Sequence, residues 1–163
     1  MVTKSRVLLS FLILPGTVLV GFPLLVHAFA PRILSASLVF PESKWVLFLI
    51  CAGFGIILIV LTNITFICTG KGTLAPWDPP QEFIINGPYQ VIRHPMIAGV
   101  LLVLFGEIFL FRSWASIVWF VIFLIANMIY IPLVEEKALL KRFGEPYRLY
   151  RKNVPAWFPK FRF

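Results

Sequence analysis

The chain has 163 residues, enough for one domain, yet 60% of them are hydrophobic, 16% aromatic and only 13% charged, where an average soluble domain has roughly 25% charged residues. A mean hydropathy of +0.91, with the apolar residues gathered in long blocks, excludes a soluble globule and describes an integral membrane protein. The formal net charge of +8 does not indicate nucleic acid, because the basic residues flank the apolar blocks at both termini and in one loop, as orientation signals do.

Met1 to Ser5 is short and carries Lys4, with Arg6 next. The first apolar block, 7–30, has the roughly 20 residues that a transmembrane helix needs. It is also longer than the roughly 7–15 residues of a signal-peptide core, so a retained helix is expected. Pro15-Gly16 and Pro23 should kink it. A short connection with its own apolar stretch (33–40) leads to a second span at 45–68, opened by the interfacial Trp45. In this span Ala52, Gly53 and Gly55 would let another helix approach closely. Cys51 and Cys68 lie here too, with no pairing pattern and no metal-ligand spacing around them.

Residues 69–94, TGKGTLAPWDPPQEFIINGPYQVIRH, form the long polar segment, whose prolines and glycines preclude a continuous helix. Its aromatic and apolar side chains, Trp77, Phe83, Ile84, Ile85 and Tyr89, argue for a packed loop. Gly70-Lys71-Gly72 lacks the spacing of a phosphate-binding loop. Pro95 then opens a third apolar segment, 95–111, and proline suits a first helical position because its missing N–H has no partner there anyway. Arg93 and His94 therefore stand at a helix mouth beside unpaired backbone donors, a place to hold a polar ligand. Glu107 falls within this segment and is either functional or solvated near the far interface by Arg112.

Arg112-Ser113 leaves almost no loop before the fourth segment, 114–134, so the third and fourth should form a tight antiparallel hairpin. Asn127 and Tyr130 are available for interhelical hydrogen bonds, and Pro132 marks a bend or an end. The tail, 135–163, is strongly basic. Leu139, Leu140 and Phe143 recur on one face of a short amphipathic helix that Gly144 should terminate, and the aromatic residues that follow suit a surface lying against lipid headgroups. The fold class expected is all-α: one polytopic membrane domain over 1–163, with about four transmembrane helices and a cytoplasmic amphipathic C-terminal helix. Of the fifteen Lys and Arg residues, all but Arg32, Lys44 and Arg112 collect on the side of the termini and the 69–94 loop. The positive-inside rule places that side in the cytoplasm, the inner membrane of a cell being the expected location.

The polar candidates, Arg93-His94 and the Glu135-Glu136 pair, thus share one face. With only His27 and His94 in the chain, a His-rich metal site is excluded, and no nucleophile–base motif is present. Methyl transfer from a sulfonium donor needs little more than alignment, carboxylates to hold an amino group, and aromatic faces for the sulfonium. A carboxylate acceptor would need a nearby cation, with Arg142, Arg148 and Arg151 the candidates; an amine acceptor would need a base or a carboxylate instead.

Gly87-Pro88-Tyr89, Arg93-His94-Pro95 and Gly99, followed by Glu135-Glu136, Leu139, Phe143-Gly144, Tyr147, Tyr150 and Pro155, resemble the isoprenylcysteine carboxyl methyltransferase and phospholipid methyltransferase superfamily. The GTLAPWDPP run resembles prokaryotic members in particular. The resemblance implies a membrane enzyme using S-adenosylmethionine, with a lipophilic or prenylated acceptor, an isoprenylcysteine-type carboxylate or a lipid-like substrate, entering from the bilayer. Carried over by position, Tyr89, Arg93, His94, Pro95, Met96, Gly99, Glu135, Tyr147 and Tyr150 would bind the cofactor, and Glu135, Glu136 and Arg142 would serve catalysis. Neither metal nor nucleic acid is implied. Ile97 stands where the family often has Tyr, so a contact of that Tyr is missing. The rival readings are a nicotinamide-dependent reductase related to the sterol reductases, which share an Arg-His-Pro-like stretch, and a non-enzymatic membrane scaffold.

Overall fold

The structure, a computed structural model, describes residues 15–30, 44–70 and 83–157. The expectations for the start of the first span, the 31–43 connection, the GTLAPWDPP run and the last residues of the tail lie outside the described residues. All regular elements among the described residues are helices: α1 (Thr17–Phe29), α2 (Lys44–Gly70), α3 (Pro95–Phe111), α4 (Trp114–Tyr130), α5 (Glu136–Phe143) and α6 (Glu145–Asn153).

Two of the helical stretches, Lys44–Thr69 and Trp114–Phe143, are long and apolar enough to cross a membrane; Thr17–Phe29 and Pro95–Phe111 are shorter. The long pair is not a soluble core turned inward. Leu49, Phe54, Ile57 and Leu61 of α2, and Ile122, Ile125, Met128 and Ile129 of α4, face outward and are exposed, which suits lipid and not water.

α2 and α3 pack most extensively, antiparallel, because small residues let their backbones meet. A Cβ on Gly55 would lie 2.6 Å from the carbonyl oxygen of Gly99, and one on Gly99 would lie 2.8 Å from that of Gly55. Further along, Gly106 sits against Cys51 and Phe48. Gly55 is thus the packing glycine that the sequence pointed to, whereas Gly53 faces open space. Around this seam Ile59, Val100, Val103 and Leu104 form the core, with Val18, Leu19, Trp119, Phe120 and Phe123 packed on it. The buried Thr62 and Asn63 donate to carbonyls of their own helix, Leu58 at 2.7 Å and Ile59 at 2.8 Å, so no polar group is stranded there.

The α3–α4 connection is as short as expected. Arg112 takes a left-handed conformation (φ 54), and the Ser113 hydroxyl accepts from the N–H of Ala115 at 3.1 Å, capping α4. Ser113→Ala should lower stability by about 1 kcal/mol, read as a fall in unfolding temperature of the detergent-purified protein; an unchanged transition would show that the cap is dispensable.

Prolines inside the helices do not break them. The N–H of Phe22 bonds the carbonyl of Thr17, and that of Glu136 bonds the carbonyl of Ile131, so each helix passes its proline by a π-helical turn, Thr17–Gly21 before Pro23 and Ile131–Glu135 around Pro132. The fourth segment therefore continues beyond 134, through this turn into α5. Asn127 differs from expectation too: it donates to Phe123 of its own helix at 2.8 Å and not across an interface. Tyr130 is exposed.

Candidate functional site

The loop entering α3 folds from its own turn residues. Gly87 takes a positive φ of 62 and opens the 3-10 turn Gly87–Gln90, and the carbonyl of Pro88 accepts from Val91 and Ile92 at 3.1 and 3.2 Å. The chain emerges with Arg93 and His94 directly before Pro95, which is the first residue of α3. The tail comes back over this loop: the Arg93 N–H donates to the carbonyl of Pro155 at 2.9 Å, and the Tyr150 hydroxyl to that of Tyr89 at 2.7 Å.

Glu136 is the hub. It is 3% exposed, and its Oε1 pairs with the Arg93 guanidinium while Oε2 meets Nε of Arg151 at 3.2 Å. One buried carboxylate between two guanidiniums compensates its desolvation with charge-assisted hydrogen bonds. His94 lies between the two members of the glutamate pair, Nδ1 3.5 Å from Glu135 Oε1 and Nε2 3.6 Å from Glu136 Oε1. Glu135, by contrast, has a side chain 41% exposed, with the His94 ring as its neighbour.

Aromatic side chains wall this polar cluster. Phe83 contacts Phe143, Tyr147 and Tyr150 with ring centroids 5.2, 5.7 and 5.2 Å away, and Trp157 approaches His94 at 6.2 Å. Tyr147 is 1% exposed. Burial, reinforced by the Glu136 charge, pushes its hydroxyl up to about 12, against the opposing pull of Arg93, so Tyr147 stays protonated and can donate. Burial likewise raises Tyr89 and Tyr150, with the charge of Glu135 adding to the first and the neighbouring Tyr147 to the second.

Of the residues singled out in the sequence, Tyr89, Arg93, His94, Glu135, Glu136, Tyr147 and Tyr150 converge here. Pro95 is buried as the helix start, with Met96 half-buried behind it. Gly99 belongs to the α2–α3 seam. Arg142 is exposed, its guanidinium 5.2 Å from the Phe143 ring centroid. Arg151 was weighed in the sequence only as a cation for an acceptor. It stands one turn after Tyr147, and spacing of three and four residues from Tyr147 would have put Tyr150 and Arg151 on the same face. Phe83 carried no signal beyond being an aromatic in a polar loop.

Glu107 is buried, 8% exposed, and lines a small crevice with His27, Ser116 and Trp119; His27 Nε2 and Ser116 Oγ share a 3.0 Å hydrogen bond. Thirteen residues of helix, about 20 Å, separate Glu107 from His94, so it belongs to the other end of the bundle.

Among the described residues, three buried polar atoms of the cluster, Arg93 Nε, His94 Nε2 and Tyr147 Oη, have no hydrogen-bond partner. Buried polar groups are normally satisfied, and all three belong to the residues gathered around Glu136. A methanethiol S-methyltransferase from Pseudomonas deceptionensis is 38% identical over 80 residues, 45% of this chain and 27% of that protein, so the chain spans little more than a quarter of that relative's length. A family model described as phospholipid methyltransferase matches residues 45–146, taking in α2, the helix mouth and the glutamate pair. Covering well over half of the chain, that match means that the chain belongs to the phospholipid methyltransferase family.

Proposed function

We propose that the chain is a four-span membrane methyltransferase that takes a methyl group from S-adenosylmethionine and passes it to a lipophilic acceptor at the cytoplasmic face. The observation that carries this reading is the trio of unsatisfied buried atoms beside an accessible carboxylate. Arg93 Nε and Tyr147 Oη are donors for a ligand's carboxylate or other acceptor groups, while Glu135 suits an ammonium group; an amino-acid ligand carries both. S-adenosylmethionine supplies such an end, together with an electrophilic methyl group on a sulfonium sulfur. The residues of the chain bind, align and exclude water: Glu136 fixes Arg93, the Tyr150–Tyr89 bond fixes the loop, and Phe83 and Trp157 cover the polar groups. Family membership and the methyl-transferring relative support the same reaction, and the clustering of Lys and Arg supports the cytoplasmic face.

The test is calorimetric titration of the detergent-purified protein with S-adenosylhomocysteine, with NADPH in parallel. Saturable binding of the first alone is expected, and His94→Ala should abolish it. Binding of NADPH alone would reassign the chain to the reductases, and S-adenosylhomocysteine binding that survives His94→Ala would overturn the site.

A further inference from the structure

α4 runs through its wide turn into α5 as one helical stretch, Trp114–Phe143, and the outward side of that stretch changes chemistry along its length. Ile122, Ile125, Ile129 and Leu133 are all at least half exposed there and meet lipid tails. Four residues make about one turn, so the same side continues from Leu133 to Lys137 and then Lys141, both exposed. The exposed Trp114 stands at the opposite end. From Trp114 to Lys137 the helix rises about 34 Å, against a hydrocarbon core of about 30 Å. With the tryptophan at one interface, Lys137 therefore emerges at headgroup depth on the other, and Lys141 lies about 6 Å beyond it.

Among the described residues, neither lysine has an acidic partner. Glu136 is turned inward to Arg93 and Arg151, Glu135 lies beside the His94 ring, and Glu145 pairs with Arg148 at 3.3 Å. We propose that Lys137 and Lys141 are a docking face for the phosphate of an anionic phospholipid, and that this contact steadies the donor site; the second half rests on the methyl-transfer reading above. A zwitterionic headgroup brings a cation with its phosphate and largely cancels the attraction, whereas an anionic lipid gains about five-fold in affinity per lysine. The link to the donor site is α5 itself. A helix of eight residues, Glu136–Phe143, does not hold its place alone. On its inner side it is held by the Glu136 ion pairs and by Phe143 against Phe83 at 5.2 Å; on its outer side Lys137, directly after Glu136, has only the headgroups to hold it. Fixing Lys137 fixes Glu136, and Glu136 holds Arg93.

The experiment compares the full chain in nanodiscs of phosphatidylcholine alone and of equal parts phosphatidylcholine and phosphatidylglycerol. Native mass spectrometry of protein released from the mixed nanodiscs reads which lipid is retained, and calorimetry reads S-adenosylhomocysteine affinity in both. Phosphatidylglycerol should be retained in preference, and S-adenosylhomocysteine should bind roughly five-fold more tightly in the mixed nanodiscs, the low end of coupling between two sites. K137Q/K141Q should lose both differences, and K137R/K141R should keep both. Equal retention of the two lipids, or a preference that survives K137Q/K141Q, overturns the docking face. Retention that depends on the lysines but leaves S-adenosylhomocysteine affinity equal in the two nanodiscs overturns the link. A parent protein that binds no S-adenosylhomocysteine in either lipid removes the donor site and the link with it, while lipid retention still decides the docking face.

Discussion

Glu136→Gln should weaken S-adenosylhomocysteine binding by roughly a hundred-fold and destabilise the protein by about 3 kcal/mol. Glutamine keeps the volume but not the charge, and Arg93, whose side chain is only 12% exposed, would be left as a buried cation with no anion. Arg151 contributes less, because its side chain is 51% exposed and water can take over its solvation; Arg151→Ala should therefore cost under about 1 kcal/mol. Thermal unfolding of the two variants, read beside calorimetry, separates the shares. An E136Q protein as stable as its parent would show that Arg93 is held by something other than this carboxylate.

Gly55→Ala should destabilise the helix pair by about 1–3 kcal/mol, and Gly55→Leu should leave little folded protein. The added Cβ of the first would meet the Gly99 carbonyl oxygen at 2.6 Å and the Val103 side chain at 2.7 Å. A carbonyl oxygen in a helix cannot swing aside as a side-chain tip can, so the helices must part. Gly53 is the internal control: one turn fraction away on the same helix, it faces nothing within 4 Å, and Gly53→Ala should be neutral or should gain from the better helix propensity of alanine, by up to about 1 kcal/mol. If both alanine variants unfold at the same temperature, the seam is looser than its geometry indicates.

The seam shows what the sequence could and could not convey. A run of small residues on an apolar helix reads as a packing face, but the choice of Gly55 over Gly53 depends on how α2 is rotated toward α3, which only the folded pair decides. A helix start was legible where proline chemistry dictates it, Pro95 beginning α3, whereas the Ser113 cap of α4 emerged only in the folded chain. Pro132 was legible as a perturbation but not in its form, because a proline can end a helix, kink it, or be absorbed in a wider turn, and neighbouring structure selects among these. At the site, the motif residues Arg93, His94, Glu135 and Glu136 meet as their order in the chain implied. The division of labour within the glutamate pair was not readable. Adjacent residues on a helix point about 100° apart, so one carboxylate turns into the cluster and the other toward the mouth. Gly99, by contrast, sits in the motif by position yet serves the helix seam.

The π-helical turn at Ile131–Glu135 bears on that division. Ile131 and Glu136, five residues apart, are both buried, at 1% and 3% exposed. In an uninterrupted α-helix five residues sweep about 500°, which would leave the two side chains roughly 140° apart. The i→i+5 bond instead brings them back toward the same azimuth. The turn therefore works as a phase corrector: it lets a helix whose sides point into lipid along most of its length deliver a charged residue inward at its end. The outward-facing half and the charged clasp can then drift in sequence independently, provided that the wide turn between them keeps its length.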